Sequence, residues 1–151
     1  MKVQKNLIRK IKYGKNFRVI EPVNLYECEF GNNVFIGPFV EITKGVKIGD
    51  NTRISSHSFV CELVTIGKNC FIGHGVMFTN DKFQSGKLGG SKKNWLPTNI
   101  GNNVLIGSNA TILPIKIKSG SVIGAGSVVT KDITKKGVYA GNPAKLIKKF
   151  K

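Results

Sequence analysis

The chain has 151 residues, 40% of them apolar and 18 of them glycine, enough for one packed domain and without an apolar run long enough to span a membrane. Its formal charge of +16 points to anionic ligands, yet 21 of the 24 basic residues are lysine and three are arginine. That balance argues against base-reading nucleic-acid recognition, which leans on the forked guanidinium.

The first 25 or so residues carry scattered apolar side chains but no continuous apolar core and no small-residue cleavage site. They read as an irregular or partial first coil of the repeat described next, not as a signal peptide. A basic patch for a membrane surface is a lesser alternative, without stable insertion. Cys28, Cys61 and Cys70 are odd in number and lack a CxxC spacing, which disfavours disulfides and a zinc site and fits free thiols in a reducing cytoplasm.

From Phe30 the sequence keeps a period of six. Phe30, Ile36, Ile42, Ile48, Ile54, Val60, Ile66, Ile72 and Phe78 are all apolar, and the count resumes at Ile100, Ile106 and Ile112. After one hexad short by a residue it continues through Ile117, Ile123 and Val129. The next position is glycine at residues 31, 37, 49, 67, 73, 101, 107 and 124, and a compact residue sits four places past most beats. An amphipathic helix repeats near 3.6 residues and a lone strand near two, so neither accounts for six. A short strand followed by a tight turn does, and three such units make one triangular coil of about 18 residues. The expected fold is all-β: a parallel β-helix of about five coils over residues 24–133.

One segment breaks the rhythm. Residues 80–99 are polar, Gly-rich and basic, with the single Trp95, and read as a loop extruded from the prism. After Val129 the chain offers a cap over residues 134–151, where Asn142 and Pro143 would open a short C-terminal helix with Leu146, Ile147 and Phe150 on one side.

Residues 18 apart should stack on adjacent coils. If the loop returns the chain in phase, Ile36, Ile54, Ile72, Ile106 and Ile123 form one column. Two places on come Pro38, Ser56, His74, Ser108 and Ala125; the next place holds Phe39, His57, Gly75, Asn109 and Gly126. Both histidines of the chain thus fall on one corner, above a run of small residues. As isolated residues each would be an ordinary turn histidine; together, beside the loop, they suggest an active site over a groove for a thin ligand.

The stretches "GPFVEITKGVKIGDNTRISSHSFVCELVTIGKNCFIGHGVMFTND", "IGNNVLIGSNATILP", "IGAGSVVTKDI" and "VYAGNPAKLI" carry a resemblance over residues 30–148. The repeat resembles the hexapeptide-repeat, left-handed parallel β-helix acyltransferases. "SHSFVC" with "GHGVMFTND" is similar to the acetyl-CoA-dependent 3-N-acetyltransferases of nucleotide-linked 3-amino sugars. These include the dTDP-3-amino-3,6-dideoxyhexose and UDP-3-amino-glucuronic acid enzymes of surface-polysaccharide (O-antigen) synthesis. The resemblance implies a cytoplasmic homotrimer with acetyl-CoA between subunits, its pantetheine passing Gly107, Ser108, Ala125 and Gly126. Lys131, Asn142, Pro143 and terminal lysines such as Lys148 would lie towards its nucleotide end. It also implies His74 as base or amine orienter, His57 in support, and Asn80 and Asp81 holding the amino sugar. A backbone N–H near Gly75 or Asn109 would face the oxyanion. The loop after Asp81 departs from the "YPR"-like continuation of this group, which leaves the sugar and the nucleotide open.

Three other readings compete. An O-acetyltransferase acting on a sugar or small alcohol would keep the same cofactor and groove. A non-catalytic scaffold could bind RNA or acidic partners through its lysines. A zinc enzyme of the carbonic anhydrase type needs three histidine ligands, and the chain has two, so no metal is expected.

Overall fold

The computed structural model describes residues 7–84, 86 and 92–150. The middle of the expected loop and the first six residues of the expected partial coil lie outside them. The chain winds as a parallel β-helix whose three faces hold seven, six and eight strands. The first face runs Ile8–Arg9, Asn24–Tyr26, Glu41–Ile42, Phe59–Val60, Met77–Phe78, Thr111–Ile112 and Val128–Val129. The second runs Lys12–Tyr13, Glu29–Phe30, Lys47–Ile48, Val64–Ile66, Thr98–Ile100 and Lys116–Ile117. The third starts with Arg18–Val19, Phe35–Ile36, Arg53–Ile54, Phe71–Ile72, Leu105–Ile106 and Val122–Ile123. It is completed by Gly137–Ala140 and Lys145–Lys149.

The sixfold beat points inward. Ile36 pairs with Ile54, Ile54 with Ile72, Ile72 with Ile106 and Ile106 with Ile123, so the column expected from the sequence is the column that forms. The chain re-enters in phase after the loop, because Val64 pairs with Thr98 and Ile66 with Ile100. Every beat from Phe30 to Val129 is buried, and the valines, alanine and cysteines four places past the beats complete the core.

The corner between the second and third faces shows why the turns hold. Asn16, Asn33, Asn51, Asn69 and Asn103 all sit at φ between 55° and 57°. Asparagine tolerates that left-handed conformation better than most side chains. Their side-chain amides hydrogen-bond from coil to coil at 2.9–3.3 Å. This ladder ties the coils together along an edge that has no strand pairing.

Three expectations change. The coil count rises to about seven, because Ile8–Arg9, Lys12–Tyr13 and Arg18–Val19 form a complete coil paired to the next one at a spacing of 17 residues. That coil keeps only one beat glycine, Gly14 after Tyr13, and its spacing of 17 puts it off the sixfold rhythm, which is why its sequence reads as an irregular or partial coil. The C-terminal helix is replaced by a β-hairpin, Gly137–Ala140 with Lys145–Lys149 antiparallel. The cause is the open edge of Val122–Ile123, whose backbone groups need partners; Val138 and Tyr139 supply them by extending the third face. Asn142 and Pro143 lie in the hairpin turn instead of opening a helix.

All three cysteines are buried and free. Burial pushes the Cys28 thiol up to about 12 and the Cys61 thiol to about 11, so both stay protonated and inert near neutral pH. Among the described residues no helix is long and apolar enough to cross a membrane.

Candidate active site

The corner between the third and first faces carries both histidines. Its turns stack through backbone bonds: His57 N–H donates to the Pro38 carbonyl at 3.2 Å, Gly75 N–H to Ser56 at 2.9 Å, Asn109 N–H to His74 at 2.8 Å and Gly126 N–H to Ser108 at 2.8 Å. The order Ser56, His74, Ser108, Ala125 along this edge is therefore observed. Both imidazoles are exposed. That of His57 is stacked on Phe39, with ring centroids 4.7 Å apart and planes 14° from parallel. His57 is thus held by Phe39, which leaves His74 as the histidine next to the small residues.

The same bonds overturn one expectation. The N–H groups of Gly75 and Asn109 are consumed between coils, so neither is available to an oxyanion. In a parallel coil the positive-φ residue of each turn presents its N–H to the preceding coil, and that is where these two amides go. The residue just before it behaves differently. At the Asn-rich corner the N–H of Asn32 reaches Asp50 Oδ1, that of Lys68 reaches Asn102 Oδ1 and that of Asn102 reaches Ser119 Oγ, each on the next coil. At the histidine corner His74 N–H finds Ser108 Oγ at 3.2 Å. Ser108 and Ala125 come next in that series, and the residues following them are Ala125 and Gly141, which carry no side-chain acceptor. Among the described residues neither amide has an acceptor. Two backbone donors thus face along the small-residue edge beyond His74.

That edge is narrow because the coils touch there. A Cβ at Gly73 would come within 2.6 Å of the Ser108 nitrogen, and one at Gly124 within 2.9 Å of the Ala140 Cβ. Gly107, Ser108, Ala125 and Gly126 line up on it. Gly141 continues it, bonded through its carbonyl to Val128 N–H at 3.0 Å, and brings Asn142 and Pro143 to its end. Lys148 lies on the hairpin strand that closes the third face. Lys131 does not join them: it follows Val128–Val129 and stands on the corner between the first and second faces.

Asn80 and Asp81 also stand on that other corner, one strand (Met77–Phe78) beyond His74. Asn80 lies six positions after His74, a reach of up to roughly 20 Å along extended chain. The loop leaves and returns here. Asn80 Nδ2 donates to the Glu62 carbonyl at 3.4 Å, and its own carbonyl accepts Leu96 N–H at 2.8 Å. Asp81 Oδ1 accepts Phe83 N–H at 2.7 Å. Lys92 reaches both Glu62 carboxylate oxygens at 2.9 Å and lies 5.1 Å over the Trp95 ring. Beneath the loop is a cleft of about 360 Å³ whose floor is Tyr26, Thr43, Cys61 and Thr79, with Phe83 and Trp95 above. These floor residues carry a sequence signal of their own: Thr43, Cys61 and Thr79 follow Ile42, Val60 and Phe78, every third beat, at a spacing of 18.

Exposed apolar side chains flank the histidine corner. Phe39 is on it, Phe71 and Leu105 point outward from the third face and Met77 from the first, each 39–57% exposed. Among the described residues no group of three or more His, Cys, Asp or Glu side chains converges on a metal position.

Comparison with known proteins agrees with this architecture. Residues 27–62 match a family described as bacterial transferase hexapeptide (six repeats). Residues 63–77 and 97–131 match one described as hexapeptide repeat of succinyl-transferase. The polySia-specific acetyltransferase NeuO is 30% identical, with 93% of this chain and 70% of that one covered and a TM-score of 0.61. A variant of AntD, an N-acyltransferase from Bacillus cereus solved with dTDP and coenzyme A, superposes with a TM-score of 0.74 over 93% of this chain and 84% of that one. At 21% identity the AntD likeness is one of fold. The bifunctional protein GlmU of Acetivibrio thermocellus is 39% identical over 104 residues, 68% of this chain. The chain spans about a fifth of the length of that relative, 20%.

Proposed function

The chain belongs to the bacterial hexapeptide-repeat transferases, and from that membership we propose that it transfers the acetyl group of acetyl-CoA to the amine of a nucleotide-linked amino sugar. The single observation that carries this reading is the edge running from His74 through Ser108 and Ala125 to Gly141. It is thin, made of small residues, and offers two unpaired backbone N–H groups in line. Such an edge suits an extended pantetheine arm, whose amides need donors. The chain's charge of +16 suits two polyphosphate ligands.

In the proposed step the neutral amine attacks the thioester carbonyl carbon and a C–N bond forms. The carbonyl oxygen becomes an oxyanion, for which the Ser108 N–H is the nearest unpaired donor on the edge. Collapse breaks the C–S bond and releases the thiolate. His74 takes the proton from the amine and returns it to the departing sulfur, acting as general base and then general acid. Asn80 and Asp81 hold the amino sugar. Because they stand on a different corner from His74 of the same chain, the complete site takes His74 from one subunit and the loop corner from its neighbour. A homotrimer does this and covers the exposed Phe71, Met77 and Leu105.

The test is release of free thiol from acetyl-CoA across a panel of dTDP- and UDP-linked 3-amino sugars and their 3-hydroxy counterparts. Turnover with at least one amine and none with its hydroxy counterpart is expected. Turnover with the hydroxy sugars alone would make the protein an O-acetyltransferase. Absence of both turnover and any thermal shift with acetyl-CoA would leave a scaffold.

A further inference from the structure

Two of the buried hydroxyls in the described chain are misplaced by ordinary folding economy. Thr43 is 6% exposed, and its Oγ1 is buried without a hydrogen-bond partner; so is the Oγ1 of Thr79. A buried hydroxyl left unpaired costs stability, and valine, of the same shape, would remove the cost. Ser55 and Ser121 share the defect, but they do not line the cleft under the loop, whereas Thr43 and Thr79 do. The two threonines stand on the same column two coils apart, with Cys61 between them.

We propose that this cleft is the ring subsite of the acceptor, and that Thr43 and Thr79 are specificity-determining residues that hydrogen-bond hydroxyl groups on opposite sides of that ring. The inference rests on the acceptor chemistry proposed above and adds to it the part of the acceptor that enters the cleft and what reads it. Two coil spacings put the threonines about 9–10 Å apart. A ring lying over Cys61 on the intervening coil can then reach each threonine through a hydroxyl, with hydrogen bonds of about 2.8 Å. Each threonine contributes to the lining, so a single χ1 step presents its hydroxyl to the cleft.

The rest of the wall fits a sugar better than a diphosphate. Tyr26, Phe59, Phe83 and Trp95 put aromatic side chains into the lining, against which the C–H groups of a pyranose can pack. Asp81 also lines the cleft, where its carboxylate, with Phe83 N–H on Oδ1, disfavours phosphate and attracts an ammonium, while the Glu62 carboxylate is paired with Lys92. The volume of about 360 Å³ holds one ring and not a whole nucleotide sugar. The phosphates then lie outside, towards the lysines.

Trp95 is the only tryptophan in the chain and lines the cleft, so its fluorescence reports occupancy without any turnover. The full-length protein is titrated with dTDP-3-amino-3,6-dideoxyglucose, with UDP-3-amino-3-deoxyglucose and with dTDP and UDP alone. Thr43→Val, Thr79→Val and the control Ser121→Ala are run beside it. An amino-sugar nucleotide is expected to change Trp95 emission in a saturable way, and dTDP or UDP alone to leave it unchanged. Each Thr→Val variant should bind that sugar about tenfold more weakly, melt no lower than wild type, and keep the KM for acetyl-CoA within twofold. Ser121→Ala should bind as wild type does. Unchanged sugar affinity in both Thr→Val variants, no response to either sugar, or an equal response to the bare nucleotides would overturn the subsite. Failure of the acetyl-CoA assay with a retained, threonine-dependent fluorescence response would instead overturn the proposed reaction and leave the subsite standing.

Discussion

Replacing His74 with alanine is expected to lower kcat/KM for the amino-sugar acceptor by about 10²–10⁴-fold, the contribution typical of a positioned general base. The loss should fall mainly on kcat, because the imidazole is placed to handle a proton that moves during the reaction and not to anchor the resting acceptor. His57 is occupied by its stack on Phe39, and the following positions, Ser108 and Ala125, have no titratable side chain. The variant should fold normally, since His74 is exposed and its structural contact is made by its backbone N–H, which alanine keeps. The check is a pH–rate profile of both proteins between pH 6 and 9. Values of kcat/KM that stay within a few-fold of wild type across neutral pH would remove the base assignment and leave the departing sulfur to accept the proton.

The second large effect concerns stability. Ile54→Ala is expected to cost about 2–5 kcal/mol, the range for deleting a fully buried aliphatic side chain and leaving a cavity. Ile54 is 0% exposed and sits mid-column between Ile36 and Ile72, so collapse onto the gap would have to move two coils at once. That places the expectation in the upper half of the range. Urea denaturation at fixed protein concentration measures it, because association couples to apparent stability. Substitution of the outward-facing neighbour Arg53, which is exposed and lies 4.2 Å over the Phe35 ring, should cost under about 1 kcal/mol by comparison. A loss at Ile54 no larger than that at Arg53 would mean that the inward column is not the core.

How much of this was legible in the sequence differs from residue to residue. The column from Ile36 to Ile123 could be read because a solenoid makes each beat repeat the same contact, so a local pattern fixes a long-range register. The shared corner of His57 and His74 followed from the same arithmetic. The first coil reads only as irregular or partial because its spacing to the next is 17 and its turns lack most of the glycines, while its inward residues still pack. The C-terminal segment departs from its sequence signal for a different reason. Asn142, Pro143 and the spacing of Leu146, Ile147 and Phe150 satisfy the local rules for a helix start, but the unpaired strand edge at Val122–Ile123 is a tertiary demand that no local rule contains. The site shows the same division. Sequence spacing placed Ser108 and Ala125 after His74, yet which amides remain unpaired depends on the side chain one coil further on. It also placed Asn80 and Asp81 only six residues after His74, and that nearness along the chain hides a full face of the prism between them.

That separation makes subunit mixing the most direct test of the account. His74→Ala and Asp81→Asn chains are prepared separately, unfolded, combined in equal amounts and refolded together. If each site takes its histidine from one subunit and its loop corner from the next, random assembly restores both wild-type residues at one interface in four, and about a quarter of wild-type activity should return. Activity no higher than that of the two variants refolded apart would show that each chain works alone, and the shared site would be wrong.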